Sequence, residues 1–263
     1  MEISLIGKTS LVTGGARGLG KSFVESLSDS GSFVYFTSRN QDLIRTLETE
    51  LNSGVQKVKG IHVDVTSNES KEIISTVLND DNRAIDILIN NVGDTMKVGA
   101  FESNMNKWQD AINLNFLTHV DLINYFLVKM KENNWGRIVN ITSIAGLEVS
   151  GPPAFNVAKA ALTSYTRSVG RLLAIENPGV VMTAVAPGII ATKDGHWEQM
   201  EKTDPVHVKN YMESRAALKR FGTESEISGI VTFLSSELAS FFHGAIIQVN
   251  GGQSRSYMPH TYL

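Results

Sequence analysis

Thr13-Gly14-Gly15-Ala16-Arg17-Gly18-Leu19-Gly20 follows a short β-rich run directly and opens a helical pattern. The glycines let the backbone come close to a ligand, and the first turn of a helix offers unpaired amides and the positive end of its dipole. That combination suits a phosphate, and the strand-to-helix setting is the context a dinucleotide site requires. A merely tight turn is the plain alternative. One strand later the chain reads Thr37-Ser38-Arg39, where a dinucleotide fold often carries an acid for the ribose 2′-hydroxyl. Arg39 can instead grip a 2′-phosphate with its planar fork, and Arg17 could reach the same group. Either arginine alone reads as solvated surface. The two together, with the acid missing, point to NADPH rather than NADH.

These residues need a scaffold, and the sequence supplies one. Short β-rich runs recur at Thr9–Thr13, Ser32–Ser38, Val58–Val63, Ile85–Asn90, Arg137–Thr142, Val180–Val185 and Ala245–Val249, separated by helical patterns. Between the first two, Leu19, Phe23 and Leu27 fall at four-residue steps and Gly31 stops the helix, which makes a βαβ unit. Thr66-Ser67-Asn68-Glu69 has the spacing of a capping box and predicts a helix start there. Alternating strands and helices imply a mostly parallel sheet covered on both faces. The expectation is one α/β domain over residues 1–263, a doubly wound Rossmann fold with a seven-stranded parallel sheet flanked by helices. Residues 193–215 show no clear periodicity and form a candidate substrate lid, or on the plainer reading a surface excursion.

Composition narrows the chemistry further. A net charge of -3 with no Lys/Arg run gives no field for nucleic acid or a lipid surface. The chain has no cysteine, so disulfides, thiolate nucleophiles and thiolate-held metals are excluded. The six histidines show no four-residue pair for a metal on one helix face. No stretch approaches the ~20 apolar residues of a membrane span, and Met1–Leu11 lacks the apolar core of a signal sequence, so a cytoplasmic protein is expected.

Further motifs in order resemble the short-chain dehydrogenases/reductases, over about Leu5 to Gly252, and in particular the 3-oxoacyl-carrier-protein reductases. Asn90-Asn91-Val92-Gly93 is similar to the family's Asn-Asn-Ala-Gly; Trp108 precedes Asn115 by seven residues; Ile141-Thr142-Ser143 and Pro187-Gly188 with Thr192 follow; Arg220-Phe221-Gly222 and Val249-Asn250-Gly251-Gly252 close the pattern. The resemblance implies active-site roles for Asn115, Ser143 and Lys159. It implies cofactor contacts from Gly14, Arg17, Gly18, Leu19, Gly20, Ser38, Arg39, Asp64, Val65, Asn91, Gly93, Lys159, Pro187, Gly188, Ile190 and Thr192. Taken singly, Asn115 could cap a kink, Ser143 could end a strand and Thr192 could cap a helix; their joint order favours the site. Family members often assemble as tetramers through two long helices, here Met105–Asn133 and Ala154–Glu176, so a homo-oligomer, tetramer or dimer, is the expectation.

One position departs from the pattern. The family signature is Tyr, three residues, then Lys, and this chain reads Phe155-Asn156-Val157-Ala158-Lys159. In the family the tyrosine hydroxyl protonates the carbonyl as hydride arrives, the lysine assists it and holds the nicotinamide ribose, the serine orients the carbonyl and the asparagine supports a water relay. Phe155 keeps the ring and has no proton to give, a loss worth ~10²–10⁴ in rate. Tyr165 falls ~15 Å along the same predicted helix and ~80° off its face, so it cannot substitute. His196 and Tyr211 lie in the lid and could swing inward, although lid residues are usually solvent-facing or binding contacts.

The sequence therefore supports an NADPH-dependent oxidoreductase that interconverts a carbonyl and an alcohol, impaired by Phe155. Two accounts of Phe155 stay open: an engineered substitution in an otherwise active enzyme, or a natural non-catalytic NADPH-binding module. A redox-neutral isomerase using the bound nucleotide is a third. The substrate is a small molecule whose identity is not legible; Lys193, Asp194, His196, Trp197, Lys202 and His207 in the lid suit a sugar-like or carrier-linked ligand equally.

Overall fold

A computed structural model of the chain describes residues 3–55, 57–96, 104–193 and 195–254. Each β-rich run becomes a strand: β1 Thr9–Val12, β2 Phe33–Ser38, β3 Val58–His62, β4 Ile87–Asn90, β5 Gly136–Ile141, β6 Val180–Pro187 and β7 Ile246–Val249. They form one parallel sheet in the order β3-β2-β1-β4-β5-β6-β7. This is the expected seven-stranded Rossmann arrangement. The order reverses between β1 and β4, and the crevice beyond the carboxyl ends of those strands is where such a sheet binds its ligand.

The helices bury apolar stripes on both faces of the sheet. On one side, α1 (Gly18–Asp29), α2 (Gln41–Leu51) and α9 (Glu224–Leu234) pack Phe23, Val24, Leu27, Ile44, Leu47, Ile227 and Val231 against Val12, Phe36, Ile89, Val139 and Val185. On the other, α3 (Ser70–Asp80), α5 (Thr118–Glu132) and α6 (Pro153–Glu176) cover Leu11, Leu88, Ile138 and Met182 with Ile74, Leu78, Leu122, Ile123, Phe126 and Leu173. Each of these fully buried side chains contributes about 1.5–3 kcal/mol of transfer free energy.

Three expectations need correction. Thr66-Ser67-Asn68-Glu69 is not a capping box: the Thr66 amide and hydroxyl both donate to Asp64 Oδ1, at 3.0 and 2.7 Å, and α3 starts at Ser70 with Glu69 as a cap whose side chain makes no capping bond. A carboxylate two residues upstream is the stronger acceptor and takes the hydroxyl. A true capping box stands at Thr223 and Glu226, opening α9.

The stretch 193–215 is not irregular either. It carries α7 (His196–Thr203) and α8 (Pro205–Arg215), while Asp194 lies outside the described residues. Among the described side chains α7 buries none fully and α8 only Val208, so no apolar stripe exists to reveal the period. The start of α8 was nonetheless signalled by Asp204 before Pro205, with the Asp204 carboxylate accepting the His207 amide at 2.9 Å.

Finally, 105–133 is not one uniform helix. It runs as α4 (Met105–Ile112), a π turn (Asn113–Leu117) and α5. Such widened turns concentrate at functional sites, and this one holds Asn115.

Candidate active site

The Gly-rich loop is tied down from its neighbours at the reversal point of the sheet. Thr13 Oγ1 receives the amides of Asn91 and Val92 at 2.9 and 3.1 Å, and Asn91 Nδ2 donates to the Thr13 and Gly14 carbonyls at 2.9 and 3.3 Å. Asn91 thus acts on the nucleotide end by holding the loop, with its amide protons already committed. Gly14 and Gly18 take φ of +64° and +52°, the left-handed region that favours glycine. A Cβ on Gly20 would overlap the Gly14 carbonyl and come within 2.8 Å of Asn91 Nδ2. Arg17 caps α1 in an extended conformation without a side-chain hydrogen bond, which leaves first-turn amides facing the crevice. Gly18 also faces Thr192 across that crevice, since a Cβ there would lie 3.6 Å from Thr192 Cβ. A cradle of open amides, closed on the far side by Thr192 and too tight for a side chain at residue 20, fits a pyrophosphate.

At the outer end, Arg39 is exposed and its Nη1 stands 3.5 Å from Asp64 Oδ2. Burial pushes the Asp64 carboxyl up, but the two Thr66 hydrogen bonds and Arg39 outweigh it and hold it below the usual range. Sequence alone places no acid after β2; the fold brings one from the end of β3 to the same spot. Ser38 turns its Oγ back to accept the Asn40 amide at 3.1 Å, and Val65 is buried in the core with Ile61 and Val63.

At the inner end two side chains, Asn115 and Lys159, converge on Gly93. A Cβ there would stand 2.8 Å from Asn115 Oδ1 and 3.0 Å from Lys159 Nζ. Asn115 is fully buried; its Nδ2 donates to the Asp94 and Ala111 carbonyls at 2.8 and 2.9 Å and its Oδ1 accepts the Asp94 amide at 3.1 Å. Lys159 Nζ donates to the Ile141 carbonyl at 2.9 Å, and burial pulls its pKa down to about 7. Ser143, two residues past β5, caps the short turn Ile144–Gly146 and its Oγ accepts the Ala145 amide at 3.1 Å, so its own proton is free. Phe155, half-buried in the first turn of α6, presents its ring 5.7 Å from Lys159 Nζ. Beyond β6, the Gly188 amide bonds the Val249 carbonyl at 3.1 Å, and Ile190 pairs with Gly222, which fixes the segment from Pro187 to Thr192 along the crevice.

Sequence reasoning passed over two residues. His119, one turn past Asn115, is fully buried, donates Nε2–H to the Val92 carbonyl at 2.7 Å and has no partner for Nδ1 among the described residues. Burial first, and then the charge of Lys159, lower its pKa to about 3, so it is a neutral imidazole. The four-residue step from Asn115 was the available signal. Gln253, 3% exposed, accepts the Ile189 amide on Oε1 at 2.9 Å and donates Nε2 to Tyr211 Oη at 2.7 Å, so it joins the lid to the segment after β6. In the lid, Trp197 packs at a tilt against Tyr211 and Phe221 with centroids 4.6 and 5.9 Å apart, and with Phe221 and Thr192 it lines a cavity of about 240 Å³. Tyr165 packs edge-on against Phe116 at 6.0 Å, away from residue 155 as expected. Among the described residues no helix is long and apolar enough to cross a membrane.

A phosphate cradle at the reversal point of a Rossmann sheet, with Asn115 and Lys159 converging on Gly93 beyond it, defines a nucleotide-dependent oxidoreductase scaffold. The sequence profile of the family described as Enoyl-(Acyl carrier protein) reductase matches residues 14–254. The 3-oxoacyl-[acyl-carrier-protein] reductase FabG of Aquifex aeolicus is 35% identical over 259 residues, 96% of this chain and 99% of its own, and that of Haemophilus influenzae is 31% identical over 94% and 98%. L-sorbose reductase from Gluconobacter frateurii, solved with NADPH and L-sorbose, superposes with a TM-score of 0.88 at 25% identity, covering 97% of this chain and 99% of its own. A 3-oxoacyl (acyl-carrier-protein) reductase from Agrobacterium tumefaciens with NADP bound gives 0.85 at 25% identity, over 95% of each chain. The chain belongs to the short-chain dehydrogenase/reductase family, as a member similar to FabG.

Proposed function

We propose that the chain is an NADP(H)-dependent oxidoreductase that interconverts a carbonyl and an alcohol on a small molecule. The observation that carries this reading is the convergence of Asn115 and Lys159 on Gly93, with Lys159 tied to the Ile141 carbonyl two residues before Ser143, at the inner end of the crevice whose outer end holds the Gly-rich cradle. Arg17, Arg39 and Asp64 would hold the adenosine end, the amides of Gly18 to Gly20 the pyrophosphate, and Lys159, Ile190 and Thr192 the nicotinamide end. NADP-bound relatives and the exposed Arg39 support NADPH over NADH. Bound there, the reduced nicotinamide supplies hydride.

Ser143 then holds the substrate oxygen with its free proton, Asn115 and His119 clamp the 92–94 loop, and Lys159 anchors the ribose side of the site. Phe155 contributes shape without a proton, so turnover should fall well below that of a tyrosine form. The test pairs NADPH binding with NADPH oxidation over a panel of ketones, for this chain and for Phe155→Tyr. Both forms should bind, and the tyrosine form should oxidise NADPH ~10²–10⁴-fold faster. If both bind and Phe155→Tyr turns over no ketone, the chain is a nucleotide-binding module instead.

A further inference from the structure

A carbonyl reduced in this site needs a proton on its oxygen, and Phe155 has none. The remaining tyrosines, and the buried His119, narrow where it can come from. Tyr35 donates to Asp81 at 2.6 Å, Tyr125 lies on α5 against Phe126, and Tyr165 is packed on Phe116. His119 has given its one proton to the Val92 carbonyl, and its other nitrogen stays unprotonated. Tyr257 and Tyr262 lie outside the described residues. Tyr211 differs from the others in place and in hydrogen-bond polarity.

The polarity follows from Gln253. Its Oε1 must face the Ile189 amide, which donates to it at 2.9 Å, so the amide group is fixed and Nε2 faces Tyr211 at 2.7 Å. An amide nitrogen only donates, and Tyr211 Oη therefore accepts. The phenol proton is turned elsewhere, with no acceptor among the described residues, while Trp197 holds the ring at 4.6 Å. The place follows from the same residue. Gln253 Oε1 lies 2.7 Å from where a Gly188 Cβ would stand, and the adjacent Ser254 Oγ donates to Glu148 Oε2 at 3.0 Å, on the loop that follows Ser143. The Tyr211 hydroxyl thus stands one side chain, that of Gln253, from the segment after β6. Ser143 shows the same polarity, accepting from a fixed amide with its proton free.

We propose that Tyr211 is the proton donor of this enzyme, in place of residue 155; the proposal rests on the oxidoreductase reading above. As hydride adds to the carbonyl carbon, the C=O π pair moves onto the oxygen, the Tyr211 O–H bond breaks and the proton bonds to that oxygen. The phenolate is left on Gln253 Nε2 and takes a proton from water at the half-exposed lid. In the alcohol direction the same phenolate accepts the hydroxyl proton.

The experiment measures NADPH oxidation with a 3-oxoacyl thioester and a 2-ketohexose for the native chain, Tyr211→Phe, Phe155→Tyr and the double variant. The native chain should turn over slowly, and Tyr211→Phe should lower that rate ~10²–10⁴-fold with NADPH affinity unchanged. The double variant should keep the rate of Phe155→Tyr, because a tyrosine at 155 makes Tyr211 dispensable. An equal loss in both backgrounds would mean that Tyr211 only packs or binds, and would overturn the proposal. A native chain with no turnover beside an active Phe155→Tyr would also overturn it and leave the oxidoreductase reading standing; an inactive Phe155→Tyr would remove both.

Discussion

Lys159 Nζ lies 5.7 Å from the centroid of the Phe155 ring, one turn apart on α6, so the amine meets a ring that carries no hydroxyl. A ring face attracts only the protonated amine, and weakly, whereas burial favours the neutral one. Burial dominates, which leaves the pKa at about 7.

That value sets a pH dependence of stability. Between about 7 and 10.5 the unfolded chain carries a proton on Lys159 that the folded chain lacks, so stability rises with pH across this window, by at most ~1.4 kcal/mol per unit. Below pH 7 both states are protonated and the full cost of the buried charge is felt. Denaturant melts of the native chain and Lys159→Met at pH 6, 8 and 10 should show Lys159→Met more favoured at pH 6 and the gap closing toward pH 10. A gap constant with pH would mean that Lys159 titrates normally.

His119 works at the acid end with the same sign as Lys159. Its folded pKa of about 3 lies below the ordinary 6.5, so stability falls as pH drops through that window, again by at most ~1.4 kcal/mol per unit. His119→Gln keeps a donor for the Val92 carbonyl and should flatten the slope between pH 6.5 and 4. Ring ¹⁵N shifts should report a neutral Nε2–H tautomer at pH 5; an imidazolium there would contradict the assignment.

Arg39 and Asp64 oppose each other at the outer end of the crevice. Arg39→Ala should weaken NADPH about 10–100-fold, the scale of a charge-assisted contact, and leave NADH nearly unchanged. Titrations of both nucleotides by fluorescence decide it, and equal losses for both on Arg39→Ala would refute a 2′-phosphate contact.

Two glycines on helices make a matched pair. Gly20→Ala forces a Cβ onto the Gly14 carbonyl and should abolish nucleotide binding, at a cost above ~2 kcal/mol, because backbone must move. Gly229→Ala, exposed inside α9 with nothing within 4 Å of the added carbon, should raise stability by ~0.5–1 kcal/mol. Thermal melts distinguish them, and equal behaviour would mean the cradle is looser than described.

The seven strands and the Gly-rich loop were legible because a strand buried on both faces must be a near-continuous apolar run, and only glycine allows so close an approach. The capping box at Thr66 misled because its spacing ignores a competing acceptor, Asp64, two residues away. The lid helices left no periodic trace because they bury almost nothing.

The chain's own order of residues determined the parallel sheet, the phosphate cradle and the absence of a phenol at residue 155. Tertiary structure decided what lies beside what: Asp64 against Arg39, His119 beneath the 92–94 loop, and Tyr211 on Gln253, 42 residues on in sequence. Periodicity reports which face of an element is buried, whereas hydrogen-bond polarity depends on partners that only the closed sheet and its crossings bring together.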